Sequence, residues 1–199
     1  TIFQGELECC FINYAGNNDV QETLSEMIEG AMYHAWNNYA DIYHMAKQVM
    51  QGLMYLHEKK LCHLDVKPEN IVMDTRKKTF KLIDFGFTAA EPFDDYVKEP
   101  NGTPGYFPQN FKFDKSTEWL PFTLANDMEK VNGETPMTTD RKLVYKIDSF
   151  SLGRVLYFVR YVYETYGIPS CFPWWTRKSR EKVNEMITIL LENDVHKRK

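Results

Sequence analysis

The stretch Leu61 to Val72 reads LCHLDVKPENIV and places a carboxylate, an ammonium and an amide on one short loop: Asp65, Lys67 and Asn70. Fourteen residues after Asn70, directly behind the apolar run Phe80 to Ile83, comes a second carboxylate, Asp84, followed by Phe85 and Gly86. A third piece, Gly102-Thr103-Pro104-Gly105-Tyr106, begins eighteen residues beyond Asp84. These residue types suit phosphoryl transfer. A nucleoside triphosphate arrives with Mg²⁺, and its terminal group is transferred by positioning and electrostatics rather than by covalent chemistry on the protein. Asn70 and Asp84 offer the hard oxygen donors that Mg²⁺ takes. Asp65 is placed to orient an incoming hydroxyl and accept its proton. Lys67 offsets the charge that develops on the transferred group.

Positioning those groups falls to elements whose periodicity can be read. Ile42, Met45, Ala46, Val49, Met50, Leu53 and Leu56 follow an i, i+3, i+4, i+7 rule, so Ala40 to Glu58 is expected to be an amphipathic helix just ahead of the loop. Met45, Met50 and Met54 on it read as core packing. Leu61-Cys62, Ile71 to Met73 and Phe80 to Ile83 read as short strands, the last two forming a hairpin across the polar stretch Asp74 to Thr79. From Asp148 to Glu164 the chain is apolar on nearly every side, which predicts a helix in the interior. Val183, Met186, Ile187, Leu190 and Leu191 mark one further amphipathic helix. Upstream, Glu8 to Tyr14 reads as a strand ended by Gly16-Asn17-Asn18. Asp19 and Glu22 read as a capping box opening a helix whose apolar face carries Val20, Leu24, Met27, Ile28 and Ala31. The expected class is α+β: mainly helical, with a few short strands.

The 199 residues are 43% hydrophobic and 26% charged, a globular profile for one domain. A net charge of −4 argues against a basic nucleic-acid binder. No apolar run of about 18 residues offers a membrane span. Cys9, Cys10, Cys62 and Cys171 contain no C-x-x-C spacing, so a zinc ribbon or disulfide scaffold is not expected and an intracellular, cytoplasmic or nuclear setting fits. The ends, Thr1-Ile2-Phe3 and Val195 to Lys199, read as cut from something longer.

In sequence order these motifs resemble the protein kinase superfamily. The family's H-R-D-x-K-P-x-N loop stands here as His63-Leu64-Asp65-Val66-Lys67-Pro68-Glu69-Asn70, its D-F-G as Asp84 to Gly86, and its G-T-x-x-Y loop as Gly102 to Tyr106. Its D-x-W-S-L-G helix start stands as Asp148 to Gly153. Lys67-Pro68 is similar to the serine/threonine branch. The resemblance implies a C-terminal lobe with a hinge strand over residues 1–199, using ATP and Mg²⁺ on a protein substrate. It gives catalytic positions to Asp65, Lys67 and Thr103, with Thr103 bracing the other two, and metal positions to Asn70 and Asp84. Nucleotide contacts would come from Ile12 as gatekeeper, from the backbone of Asn13 and Ala15, from Asp19 at the ribose and from Val72 beneath the adenine. Asp148 would hold the catalytic loop's backbone. Two residues also have plain readings: Asp19 is explained equally by its cap, and His63 by packing.

Several departures stand beside the match. Leu64 replaces the Arg that in the family clamps a phosphorylated activation segment, which implies activity independent of that route. Pro108-Gln109-Asn110 replaces A-P-E, leaving Arg198 without its usual carboxylate. Residues 111–145 read as an insertion beside the substrate groove. No glycine-rich phosphate loop and no lysine-bearing strand precede residue 8, so an N-terminal lobe is expected upstream in cis, or else a covering chain. The alternative function is a pseudokinase-like binding module. A small-molecule phosphotransferase also carries an H-x-D-x-x-x-x-N loop, but Lys67-Pro68 and the Gly102 to Tyr106 loop resemble protein-substrate features.

Overall fold

A computed structural model describes residues 21–30, 39–74, 77–93, 102–108, 141–166, 176–192 and 198. Strand β1 (Gln21–Thr23) leads into helix α1 (Leu24–Gly30). Thr23 caps that helix: the Glu26 amide donates to Thr23 Oγ1 at 3.1 Å, and Glu26 Oε2 accepts from the Thr23 amide at 2.8 Å. The reciprocal pair is a capping box, four residues later than Asp19/Glu22. Glu22 lies in β1 opposite Met73, so strand pairing delays the helix start. Asp19, Val20 and Ala31, with the strand expected over Glu8 to Tyr14, lie outside the described residues.

Helix α2 (Tyr39–Glu58) buries Tyr39, Ile42, Met45, Ala46, Val49, Leu53 and Leu56, the stripe that its periodicity predicts. Met54 departs from it. At 55% exposure it lies outside the buried stripe rather than in the core. Strand β2 (Leu61–Cys62) follows, then the loop, a 3₁₀ turn (Pro68–Asn70) and the hairpin of β3 (Ile71–Asp74) with β4 (Thr79–Leu82). Antiparallel pairing runs from Ile71↔Leu82 to Asp74↔Thr79, and β1 adds to the other edge of β3. Strand β5 (Ala89–Ala90) pairs with β2, Leu61 opposite Ala90.

A 3₁₀ turn (Arg141–Val144) enters helix α3 (Tyr145–Tyr166), and α4 (Thr176–Leu190) packs beside it. Of the segment read as an insertion, 111–140 lies outside the described residues. Its end belongs to the fold itself, because Leu143 and Val144 are buried and Tyr145 opens α3. Leu152, Val155, Leu156 and Val159 of α3 form the main core with the buried faces of α2 and α4. Helices α2 and α3 run antiparallel: His57 near the end of α2 bonds Asp148 near the start of α3, while the Tyr39 hydroxyl bonds Glu164 at the opposite ends. A second apolar cluster gathers Cys62, Leu64, Phe93, Phe107, Val144 and Ile147. The fold is mostly helical with short strands, an α+β arrangement.

Candidate active site

The loop between β2 and the 3₁₀ turn is held from beneath by α3. Both oxygens of the fully buried Asp148 accept main-chain amides, His63 at 2.9 Å and Leu64 at 2.7 Å, and its Oδ2 also meets His57 Nε2 at 2.8 Å. Leu64 adopts φ 66°, the left-handed region, so the chain doubles back sharply over that carboxylate. Cys62 Sγ lies within 4.8 Å of the His57 and Asp148 ligand atoms. Burial pushes its thiol up, away from the metal-binding thiolate, and the Asp148 oxygens are already engaged, so this trio supports the loop.

The turn delivers Asp65, buried to 3% exposure, into a cluster of donors. Its Oδ2 lies 2.8 Å from Lys67 Nζ and accepts from Asn70 Nδ2 at 2.9 Å, and its Oδ1 accepts from Thr103 Oγ1 at 2.5 Å. Lys67 Nζ also donates to Thr103 Oγ1 at 3.0 Å. Asn70 Nδ2 donates a second time to the Asp65 carbonyl at 2.9 Å, which turns the amide oxygen away from Asp65. Asp84 follows Ile83, whose amide donates to the Asn70 carbonyl at 2.9 Å and whose carbonyl accepts from His63 Nε2 at 3.1 Å. Asp84 is solvent-exposed at φ 59°, its Oδ1 accepting the Gly86 amide at 3.1 Å. The structure thus brings Asp65, Lys67, Asn70 and Thr103 into mutual contact and sets Asp84 on the adjoining chain end.

Thr103 arrives from a tight loop whose glycines are needed. A Cβ on Gly102 would fall 2.6 Å from the Phe107 ring, and Gly105 has φ 90°. Val72 is buried in β3 but belongs to neither apolar cluster, whereas its neighbours Ile71 and Met73 pack on the main core. By strand alternation its side chain faces the other side of the sheet. Ile12, Asn13, Ala15 and Asp19 lie outside the described residues.

A family model described as "Protein kinase domain" matches residues 4–116 of the chain. The chain belongs to the protein kinase family. Among its curated relatives is serine/threonine-protein kinase 17A of Oryctolagus cuniculus, 29% identical over 128 residues, covering 56% of this chain and 31% of the relative. Serine/threonine-protein kinase pim-2 of Danio rerio is 34% identical over 111 residues, 53% of this chain and 35% of that protein. The probable serine/threonine-protein kinase HSL1 of Saccharomyces cerevisiae is 38% identical over 63 residues, 32% of this chain and 4% of that protein. The chain spans about a third or less of the length of these relatives.

In this member of the family His63 is a packed, hydrogen-bonded residue. Its Nδ1 accepts the Asp65 amide at 3.3 Å while Nε2 donates to Ile83, which fixes the neutral Nε2–H tautomer. Burial holds its pKa below the ordinary histidine value of 6.5, outweighing the pull of Asp148. The unfolded chain therefore binds this proton more readily than the native one. The stabilisation is complete above about pH 6.5 and is lost as pH falls from there toward the lower native value. The melting advantage of the full-length protein over His63→Asn is expected to shrink between pH 7 and pH 5. An advantage that is flat or grows on acidification would refute the neutral assignment.

Two supports of the site were not singled out from sequence. His57 carries no local signal, because its bond to Asp148 spans 91 residues. Arg154 is a buried guanidinium on α3 that donates from Nε to the Gly105 carbonyl at 3.0 Å. The signal in the sequence is a charged side chain within the otherwise uncharged run Leu152 to Val159. Arg198 lies buried over the Phe150 ring at 4.8 Å and donates to the Glu192 carbonyl at 3.0 Å. Among the described residues its hydrogen bonds go to backbone carbonyls, while the Glu192 carboxylate acts through its charge. Burial lowers its pKa to about 10.

Proposed function

We propose that this chain carries the catalytic loop and C-terminal lobe of a serine/threonine protein kinase, transferring the γ-phosphate of Mg-ATP to a protein hydroxyl. The observation that carries this reading is the shared carboxylate of Asp65, which Lys67, Asn70 and Thr103 all engage. A purely structural loop has no need to gather an ammonium, an amide and a hydroxyl on one buried acid. The donors fit the metal: the Asn70 amide oxygen and the exposed Asp84 carboxylate are hard oxygens on adjoining chain ends. When bound, Mg²⁺ supplies charge neutralisation across the phosphates.

Asp65 orients the incoming hydroxyl and takes its proton as the new O–P bond forms and the bond to the ADP leaving group breaks. Lys67 stabilises negative charge on the transferred group. Thr103 keeps Asp65 and Lys67 in register. Ile12, Asn13, Ala15, Asp19 and Val72 contact the nucleotide. A phosphate-covering lobe is supplied in cis by upstream sequence or by a covering chain, in keeping with the third or less of each relative that this chain spans. Leu64 favours the alternative, a pseudokinase-like module that binds without turnover.

The test is phosphate transfer from Mg-ATP to a Ser- or Thr-containing protein by the longest natural form of the chain. Asp84→Asn is expected to reduce the rate at least about a hundredfold by weakening the metal site. ATP binding without turnover would favour the binding module, and transfer untouched by Asp84→Asn would remove Asp84 from the metal site.

A further inference from the structure

A guanidinium inside an apolar helix is costly unless its donors are used. Arg154 is 6% exposed and sits on α3 beside Val155 and Leu156, both fully buried. Its Nε donates to the carbonyl of Gly105, itself a buried residue, at 3.0 Å. That carbonyl needs a donor as much as the guanidinium needs an acceptor. The turn it belongs to also carries a main-chain bond, Tyr106 N–H to the Thr103 carbonyl at 3.2 Å. Thr103 in turn places its hydroxyl between Asp65 and Lys67.

The same helix holds both walls of the site. Asp148 grips the His63–Leu64 backbone, and six residues further on Arg154 grips the Gly105 backbone. Six residues of helix rise about 9 Å, so α3 helps fix the separation of two loops that meet where Thr103 touches Asp65 and Lys67 and where Phe107 packs with Leu64. We infer that Arg154 is a positioning residue for phosphoryl transfer: by anchoring Gly105 to α3 it sets the Thr103 hydroxyl against Asp65. The inference rests on the catalytic reading of Asp65 given above.

The experiment uses the full-length natural protein with Arg154→Gln and Arg154→Lys, each alone and combined with Thr103→Ala. It reads amide exchange of residues 102–108 and steady-state phosphotransfer. Arg154→Gln is expected to raise exchange of the Tyr106 amide about tenfold while leaving the β3–β4 hairpin unchanged. It is expected to lower kcat about thirtyfold with the KM for ATP within about twofold, since small misplacement at a reacting centre is costly. Arg154→Lys, which keeps the charge and can still reach a carbonyl, should fall between. With Thr103 already Ala, neither variant should lower kcat further, because the path through Thr103 is gone. Unchanged exchange at 102–108 in both variants overturns the anchor, as does a kcat loss that is fully additive with Thr103→Ala. No phosphotransfer by the unsubstituted protein would defeat the catalytic reading and with it the role given to Arg154, whereas the exchange result would still report whether the anchor exists.

Discussion

Asp148→Ala is expected to unfold or nearly unfold the full-length protein's helical lobe. The substitution removes the acceptor of two buried main-chain amides, His63 at 2.9 Å and Leu64 at 2.7 Å, together with the His57 partner at 2.8 Å. A buried donor left unsatisfied costs about 1–3 kcal/mol, so the two amides alone lose about 2–6 kcal/mol. A domain's whole stability is about 5–15 kcal/mol. At about 2–4 °C per kcal/mol for a chain of this size, the midpoint of thermal unfolding should fall by about 10 °C or more, if soluble protein is obtained at all. Asp148→Asn keeps one acceptor oxygen and should lie between. A midpoint for the Ala variant within about 2 °C of the unsubstituted protein would show that the loop is held by something other than this carboxylate.

Leu64→Arg should also be strongly destabilising, although it moves the sequence toward the family's pattern. Leu64 is 1% exposed and packs with Cys62, Phe93, Phe107, Val144 and Ile147, an environment without a free carboxylate among its members. A guanidinium there is desolvated without a partner, or it must push Phe93 out of the cluster to reach water. About 3 kcal/mol is a reasonable scale for such a defect, or roughly 10 °C in melting temperature. The same contact bears on regulation. Phe93 is itself buried and sets its ring edge-on to Tyr145 at 5.1 Å, so packing secures this stretch, and β5 just before it is tied to β2. Phosphatase treatment of the full-length protein is therefore expected to leave its transfer rate unchanged. A large loss on dephosphorylation, or a Leu64→Arg variant as stable as its parent, would count against this account.

What the sequence made legible is what short range determines. Asp65, Lys67 and Asn70 fall within six positions, so their convergence needs only one loop, and the α2 stripe is visible because a helix repeats its burial every turn. Met54 was misplaced because an i+4 step from Met50 drifts to the flank of that stripe, where exposure is decided by which neighbours are present. The cap was misplaced for a different reason. Asp19/Glu22 and Thr23/Glu26 both satisfy the local pattern, and pairing of Gln21–Thr23 with β3 chooses between them. Neither the His57–Asp148 bond nor the Arg154–Gly105 bond reveals its partner locally, since one spans 91 residues and the other 49. The contact of Thr103 with Asp65, 38 residues away, was anticipated only through the family's motifs.

Helices α2 and α3 are clasped at both ends, His57 with Asp148 at one and Tyr39 with Glu164 at the other. A pair fastened only in the middle could fray from either tip and release one loop while keeping the second. Fastened at its tips, the pair resists partial opening, and its failure releases both loops seated on α3 together. Damage to either clasp should therefore show itself as fewer competent molecules, whereas loss of a single loop anchor such as Arg154 leaves the lobe folded with one loop loosened.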